Sequence, residues 1–185
     1  MDSQQPIEMP IHSDGTAPEP SVEETQQHAG EILCREFKAP EEVVVRGKSV
    51  FLAGSIEMGK ARNWQEELKN KLLNVPCTII NPRRVDFGGD WVQEMSDPKL
   101  YQQVTWELDW LNNVDVIAMN FERDTKAPIS LLELGLYAAT GKMVVCCPVG
   151  FYRRGNVQIV CQRYGIPIFT ELPDMVGEVV HRLTH

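Results

Sequence analysis

The chain lacks long hydrophobic runs, an excess of positive charge and any cysteine–histidine spacing typical of a zinc site. No apolar stretch approaches the ~20 residues that span a bilayer, and the first residues carry no basic cluster. We therefore expect neither a membrane span nor a secretory signal. The five cysteines are an odd number and do not indicate a disulfide framework. Cys146 and Cys147 fall in a predicted buried strand, where reduced thiols are expected, and this favours a cytoplasmic location.

Positive charge is scarce throughout. The net charge is −8; residues 1–48 hold ten acidic and four basic side chains (−6), and residues 49–185 hold sixteen and fourteen (−2). The acidity is therefore concentrated in the N-terminal part. Because no basic stripe is present, the sequence argues against binding to duplex nucleic acid.

The composition divides the chain into three parts. Residues 1–30 are rich in Pro, Glu, Gln, Ser and Thr and are predicted to be a disordered acidic tail. Residues 31–48 are a lead-in segment, in which Ile32, Leu33 and Phe37 are candidates to dock on the domain. Within it, Val43–Val45 is either an edge strand or part of the lead-in. Residues 49–185 are predicted to form the folded domain.

From Ser49 onward, short apolar strands alternate with helices. Five strands are predicted at 50–53, 77–80, 115–121, 143–147 and 166–169, and five helices at 61–73, 101–113, 130–140, 156–163 and 174–183. This alternation predicts an α/β fold with a doubly wound, mostly parallel five-stranded sheet and helices on both faces. Ligands of such folds bind beyond the carboxyl ends of the strands. Those ends are Gly54-Ser55, Asn81–Arg84, Asn120–Pro128 and Pro148–Gly150.

Glu133 is a single carboxylate within residues 130–139, the most apolar helix-like run of the chain. An isolated buried charge is costly, so this carboxylate must be paired, protonated or used in chemistry. Ser130 and Glu133 also fit a capping box, in which both side chains satisfy backbone donors at a helix start. The residues alone leave both interpretations open.

The helix predicted from Tyr101 to Asn113 places a second carboxylate, Glu107, toward the interior. At about 100° per residue, one apolar face is formed by Val104, Leu108, Leu111 and Val114. Glu107 projects into that face, where it either pairs with an arginine or a helix end or serves in chemistry. Paired carboxylates suit chemistry at an anomeric carbon, where one acts as nucleophile and the other handles protons.

Gly54-Ser55-Ile56-Glu57-Met58-Gly59 follows the first predicted strand and opens the first helix. The glycine allows a ligand to approach the backbone, and a helix N-terminus favours anions. By itself the segment is more typical of a tight strand–helix turn, and the Gly-x-Gly-x-x-Gly dinucleotide spacing is absent.

Arg83 and Arg84 follow the second predicted strand. They are a candidate clamp for phosphate or carboxylate groups, since guanidinium forks bind both bidentately. A surface turn after Pro82 is favoured for at least one of them. Trp91 lies in a glycine-rich loop and is a candidate to stack on a base.

Several motifs, taken in order, resemble nucleoside 2-deoxyribosyltransferases. They are Phe51-Leu52-Ala53-Gly54-Ser55-Ile56, Trp106-Glu107-Leu108-Asp109-Trp110-Leu111, Asp115-Val116-Ile117, and Leu132-Glu133-Leu134-Gly135 followed by Gly141-Lys142. The chain is also similar to deoxynucleoside monophosphate N-glycosidases, which have a comparable Gly-Ser-Ile turn. Three further segments resemble the "nucleoside 2-deoxyribosyltransferase-like" branch: Asn81–Arg84, Thr125–Ser130 and Gly150–Val157.

This resemblance implies a flavodoxin-like fold that cleaves the bond between a base and deoxyribose. The matching glutamate, Glu133, would attack the anomeric carbon and form a covalent deoxyribosyl-enzyme. Glu107 stands where the family has an aspartate that holds or protonates the reacting groups, and Phe51 where it often has a tyrosine that contacts the nucleophile. No metal or cofactor is implied, and the expected assembly is a homo-oligomer. With the features above, the expected substrate-binding residues are Gly54, Ser55, Asn81, Arg83, Arg84, Trp91, Lys126 and Ser130.

The expected ligand is a small-molecule nucleoside or nucleotide, and the outcome of the reaction stays open. A transferase passes the sugar to a second base, whereas an N-glycosidase passes it to water. Arg83, Arg84 and Lys126 near the strand ends favour a phosphorylated substrate and hydrolysis. Phe51 and Glu107 keep a non-catalytic nucleotide-binding module as an alternative. A scaffold that recruits partners through its acidic tail is a third.

Overall fold

The computed structural model describes residues 33–84 and 91–185. The predicted acidic tail at residues 1–30 lies outside the described residues, as do residues 85–90 of the predicted loop. Six strands form one parallel sheet: Arg35–Lys38 (β1), Lys48–Gly54 (β2), Cys77–Asn81 (β3), Val116–Asn120 (β4), Met143–Cys146 (β5) and Ile168–Phe169 (β6). Five helices connect or follow them: Trp64–Leu72 (α1), Pro98–Asn113 (α2), Pro128–Tyr137 (α3), Arg154–Tyr164 (α4) and Leu172–Thr184 (α5).

The strand order is β1-β3-β2-β4-β5-β6, which confirms the predicted doubly wound α/β fold. Without β1, the strands counted in chain order run 2-1-3-4-5, the flavodoxin-like order. The predicted number of five strands was wrong, because β1 lies in the lead-in segment and pairs with β3 from Arg35↔Thr78 to Lys38↔Asn81. An open edge of β3 would leave backbone donors and acceptors unpaired, and β1 covers it. The alternative edge strand, Val43–Val45, is not a strand, and two of its three residues are exposed.

Two apolar layers sandwich the sheet. On β2, Phe51 packs with the layer that includes residues of α2, α3 and α4, whereas Leu52 packs with α1 and α5. The interior strands are buried on both faces, and for this reason their sequences read as continuous apolar runs rather than alternating ones. Each strand therefore presents its carboxyl end between helices of opposite layers.

The inward face of α2 differs from the predicted one. Leu111 and Gln103 are buried, whereas Val104 and Leu108 are exposed. The helix begins at Pro98, three residues earlier than predicted, because Asp97 caps it by accepting hydrogen bonds from Lys99 N and Leu100 N. Its inward polar residues are therefore Gln103 and Glu107, one turn apart.

The capping-box interpretation of Ser130 and Glu133 was wrong. Helix α3 begins at Pro128, and its N-cap is Ala127, which provides no side-chain hydrogen bond. Proline favours the first turn of a helix, and this moves the start upstream of Ser130. Glu133 therefore lies inside the helix, away from the backbone donors it would need to cap.

None of the described helices is both long and apolar enough to span a membrane. All five cysteines are buried free thiols, Cys146 and Cys147 among them.

Candidate active site

The carboxyl ends of β2 and β4 meet at the point where the strand order reverses. Gly54 has φ +138°, and a Cβ on it would lie 2.1 Å from the carbonyl oxygen of Asn120. The glycine is therefore required by the close approach of β4. The next residue, Ser55, donates a backbone hydrogen bond from its N–H to the same oxygen, Asn120 O, at 2.9 Å.

Ser55 joins β2 to the loop between β4 and α3. Its Oγ lies 2.7 Å from Thr125 Oγ1 and accepts a hydrogen bond from Glu122 N at 3.0 Å. Thr125 Oγ1 in turn donates to Glu122 O. The buried serine hydroxyl thus fixes the loop that leads into α3.

A second contact across this crevice comes from Glu57, which sequence analysis did not single out. Its Oε1 accepts hydrogen bonds from Lys126 N at 3.1 Å and Ala127 N at 2.8 Å. A carboxylate at a helix N-terminus is stabilised by the free N–H groups and by the helix dipole. Glu57 therefore supplies the cap that α3 lacks locally, while the Lys126 side chain is exposed.

Glu133 is 8% exposed and accepts no hydrogen bond and forms no ion pair within the described parts of the chain. When Glu107 is ionised, burial and its negative charge together raise the pKa of Glu133 to about 8, and a protonated Glu107 removes the second of these two effects. Ser130, one turn earlier on α3, is also buried. The inward side of α3 thus holds a carboxyl group and a hydroxyl group next to each other in the helix.

Glu107 is half-buried on α2, with its carboxylate held by a buried glutamine. Gln103 Nε2 donates to Glu107 Oε1 at 2.8 Å and to Pro82 O at 2.9 Å. Burial raises the pKa of Glu107 to about 7, and an N–H bond from Gln103 opposes this shift where it is donated to the ionised carboxylate. Because Glu107 and Glu133 repel one another as anions, near neutral pH the pair retains protons.

Tyr137 closes the space between the two helices. It lies one turn after Glu133, and its hydroxyl donates to Leu108 O of α2 at 3.5 Å. Burial raises the pKa of Tyr137, and the charges of Glu133 and Asp109 add to the shift. The expected carboxylates therefore lie on neighbouring helices, close enough for their charges to interact.

The structure turns Arg83 toward the loop between β2 and α1. Its Nη1 and Nη2 atoms donate to Arg62 O, Gln65 Oε1, Gly59 O and Ala61 O at 2.8–3.3 Å. The guanidinium of Arg83, predicted to be a candidate anion clamp, thus donates to four acceptors of the protein itself.

The other expected residues after β3 are engaged in protein contacts. Asn81 Nδ2 donates to Glu36 Oε1 at 2.8 Å, and Asn81 Oδ1 accepts from Arg83 N at 3.0 Å. The guanidinium of Arg84 lies over the Trp91 ring, 5.0 Å from its centroid, and Trp91 is buried. One face of the ring expected to stack on a base is therefore covered by a cation.

Three further polar residues of the site were missed in the sequence: Gln65, Gln103 and Tyr137. Glutamine has no spacing signature, and its burial is a tertiary property. Only the position of Gln103, four residues before Glu107, could have suggested a contact on one helix face.

Within residues 33–84 and 91–185, no group of three or more His, Cys, Asp or Glu side chains is arranged to hold a metal ion.

Comparison with known proteins gives one family. A comparison with curated proteins found no significant match. The family model described as "Nucleoside 2-deoxyribosyltransferase like" matches residues 47–151, which extend from β2 to the residues after β5. Both carboxylates and the crevice between β2 and β4 lie inside the matched region, so the chain belongs to the nucleoside 2-deoxyribosyltransferase-like family.

Proposed function

We propose that this protein cleaves the N-glycosidic bond of a deoxynucleoside or its monophosphate through a covalent glycosyl–Glu133 intermediate. The observation that best supports this proposal is the pair of inward carboxylates, Glu133 and Glu107, which repel each other across neighbouring helices. Glu133 accepts no hydrogen bond within the described residues, so one of its oxygens can reach a sugar carbon without first losing a partner.

In the first step, an ionised oxygen of Glu133 forms a bond to C1′ as the bond from C1′ to the base nitrogen breaks. The electron pair of that bond leaves with the base, and a proton from Glu107 neutralises the departing nitrogen. In the second step, water or a second base attacks C1′, gives its proton to Glu107 and releases Glu133. Two inversions leave the configuration at C1′ unchanged.

The sugar is passed either to a second base or to water. The contacts of the three expected cations favour a substrate without a 5′-phosphate, and therefore transfer to a second base. Arg83 is engaged by three carbonyl oxygens of the neighbouring loop and by Gln65 of α1, and Arg84 lies over Trp91. Lys126 alone of the three expected cations has an exposed side chain beside the α3 N-terminus. A 5′-phosphate would therefore find fewer ready donors than the sequence suggested, so a free nucleoside fits better than a monophosphate. Hydrolysis of a monophosphate is the alternative outcome.

The remaining expected substrate contacts are proposed on the same geometry. Gly54 and Ser55 form the floor of the crevice, and Ser130 would hold the sugar 5′ group next to Glu133. A base stacked on Trp91 would use the ring face opposite Arg84 or displace that side chain, and Asn81 would hold the loop rather than the base.

The experiment is intact-protein mass spectrometry after incubation with deoxynucleosides and their 5′-monophosphates, with released base followed by chromatography. We expect the wild-type protein to gain the mass of a deoxyribosyl group and Glu133→Gln to gain nothing. Glu94→Gln, at an exposed glutamate outside the site, is the matched control and should behave as wild type. Exchange into a labelled second base identifies a transferase, and ¹⁸O from water in the released sugar identifies a hydrolase.

An adduct of equal size on Glu133→Gln would overturn the role of Glu133. Ligand binding without adduct or released base, over all substrates, would instead favour a non-catalytic binding module on this fold. Phe51 is the observation that favours that second candidate, since it is fully buried and has no hydroxyl group to offer the nucleophile.

The proposed assembly is a homo-oligomer built on an apolar face of α2 and α3. Exposed apolar side chains recur at the same i, i+3, i+7 spacing on both helices: Tyr101, Val104 and Leu108, and Ile129, Leu132 and Leu136. The hydrogen bond from Tyr137 to Leu108 O shows that the two helices are neighbours. A second copy offers a matching apolar face, as the symmetry of a dimer requires.

A further inference from the structure

Gln103 has one unusual atom. The residue is 1% exposed, and its Oε1 is buried with no hydrogen-bond partner. A buried acceptor left without a donor is destabilising, so native structures seldom keep one. The other end of the same amide lies against Glu107.

The orientation of this amide is fixed by the protein. Pro82 O can only accept a hydrogen bond, so the amide nitrogen must be the atom that faces it, at 2.9 Å. The second N–H of the same nitrogen is directed to Glu107 Oε1 at 2.8 Å. Rotating the amide by half a turn would place its oxygen against Pro82 O, and the unpaired Oε1 therefore cannot be relieved in that way.

A proton on Glu107 removes the problem. A carboxylic acid and a primary amide can form a ring of two hydrogen bonds, N–H to the acid carbonyl and acid O–H to the amide oxygen. The first of these bonds is already present between Nε2 and Oε1 of Glu107. An ionised Glu107 would instead keep one hydrogen bond and leave two acceptors, Gln103 Oε1 and its own second oxygen, without a donor.

We propose that Gln103 is a positioning residue that keeps the proton of the carboxylate pair on Glu107, through an acid–amide ring, and so leaves Glu133 as the ionised member. The inference rests on the proposed function for its catalytic meaning: the proton donor and the nucleophile are assigned before substrate binds. Glu107 then carries the proton that the departing base requires.

Among residues 33–84 and 91–185, no other ionisable group takes this role. None of the side chains around Glu107 donates to Gln103 Oε1. Of the described ionisable residues, those whose contacts bear on this part of α2 are Glu133 and Tyr137 of α3, Glu41 of the lead-in segment, Arg83 and Arg84 after β3, and Asp109 of α2 itself.

One of these groups favours a protonated Glu107, and four others are engaged elsewhere. Glu133 disfavours a second negative charge, and the Tyr137 hydroxyl is directed to Leu108 O. Arg83 faces the loop carbonyls, and Arg84 lies over the Trp91 ring. Glu41 accepts from Lys38 N through its carboxylate. The Gln103 amide is thus the described side chain that bonds the Glu107 carboxylate directly.

The test is infrared titration of the full chain without substrate, which measures the carbonyl band of a protonated carboxylic acid. Glu133→Gln serves as background so that one buried acid remains, and Glu107→Gln identifies its band. In that background we expect Gln103→Met to move the midpoint of the Glu107 band to lower pH, by about tenfold in the acid dissociation constant. The loss of the O–H···O bond to Oε1 destabilises the protonated form.

The opposite shift would overturn the inference, because a Gln103 that only donated to an ionised Glu107 would lower its pKa, and its removal would move the midpoint to higher pH. An unchanged midpoint would overturn it as well. Gln65→Met is the matched control: Gln65 is equally buried and has an unpaired amide atom, Nε2, but it contacts Arg83 rather than Glu107. This control should leave the Glu107 midpoint in place.

If Gln103→Met does not fold, as judged by near-ultraviolet circular dichroism, the band position in the Glu133→Gln protein decides the question. A ring of two hydrogen bonds lowers the carbonyl frequency below that of an unbonded buried acid. A band at the unbonded position would overturn the inference. Because the titration needs no substrate, its outcome is independent of whether the protein has the proposed activity.

Discussion

Glu133 has lost most of its contact with water and has gained no hydrogen bond from the described residues. Burial and the nearby Glu107 raise the pKa of Glu133 from its ordinary value of 4.5 to about 8. An unfolded chain would titrate this side chain at the ordinary value. The folded pair of Glu133 and Glu107 therefore binds more protons than the unfolded chain between these two limits, and the free energy of unfolding falls as the pH rises through that window.

Glu133→Gln should weaken this pH dependence, because it removes one of the two buried carboxyl groups while Glu107 still titrates with a raised pKa. We expect its free energy of unfolding relative to wild type to increase by on the order of a few kcal/mol from about pH 5 to about pH 8. Urea unfolding followed by tryptophan fluorescence across that range measures the difference. Glu94→Gln should run parallel to wild type, and a parallel Glu133→Gln curve would contradict the assignment of a buried ionisable group.

Phe51 fills space in the apolar core and, because it has no hydroxyl group, removes a hydrogen-bond donor from the candidate site. Its ring is fully buried, and its centroid lies 6.3 Å from that of Trp106 on α2. The apolar ring therefore packs between β2 and α2 without a buried hydroxyl group to satisfy. The same choice leaves the carboxylate pair with Gln103 as its direct hydrogen-bond donor from the described residues.

At the scale of elements, one arginine after β3 organises the connection between β2 and α1. Arg83 donates to Gly59 O and Ala61 O, the closest of its four acceptors at 2.9 and 2.8 Å. Planar, fixed donors suit an array of carbonyl oxygens that a single ammonium group cannot match. The loop that carries Glu57 is therefore tied to the end of a different strand.

Arg83→Lys should loosen this loop while keeping the positive charge. We expect faster hydrogen–deuterium exchange over residues 59–65 and a loss of about 1–3 kcal/mol of stability, since several acceptors lose their donors. Arg163→Lys, at an exposed residue in the last turn of α4, is the control and should change neither. Unchanged exchange in Arg83→Lys would show that the loop is held by other contacts.

At the scale of the whole molecule, an exposed apolar face remains on α2 and α3. Leu132 is 58% exposed, and its neighbours on the same stripe, Ile129 and Leu136, are similarly open. Apolar faces of this kind on an otherwise polar surface are typical of association sites. The carboxylate pair lies on the same two helices, so association would also affect the surroundings of the site.

Leu132→Lys should therefore reduce the molar mass in solution. A lysine at the centre of an apolar interface must lose water without gaining a partner, which we expect to shift the dimer or larger assembly toward monomer by at least tenfold in dissociation constant. Light scattering after size-exclusion chromatography measures this. Ile159→Lys, on the exposed side of α4, is the matched control. A wild-type protein that is already monomeric would contradict the proposed assembly.

The sequence by itself determined five of the six described strands, the five helices and the end of the sheet at which the candidate site lies. Strand and helix periods are local, and polar residues at successive strand ends are visible in the chain. Glu133 and Glu107 could be identified because a carboxylate within an apolar run stands out without any knowledge of its neighbours. The inward face of α2 was assigned incorrectly because periodicity favoured Val104 and Leu108, whereas packing buries Gln103.

Only the tertiary structure decided the contacts between residues that are distant in the chain. The pairing of β1 with β3, the capping of α3 by Glu57, and the engagement of Arg83 by the loop before α1 join segments some 20 to 70 residues apart. Such contacts depend on which strand lies beside which, and no local period encodes that. For the same reason, the sequence could name the two carboxylates but could not indicate that a buried amide lies between Pro82 and Glu107.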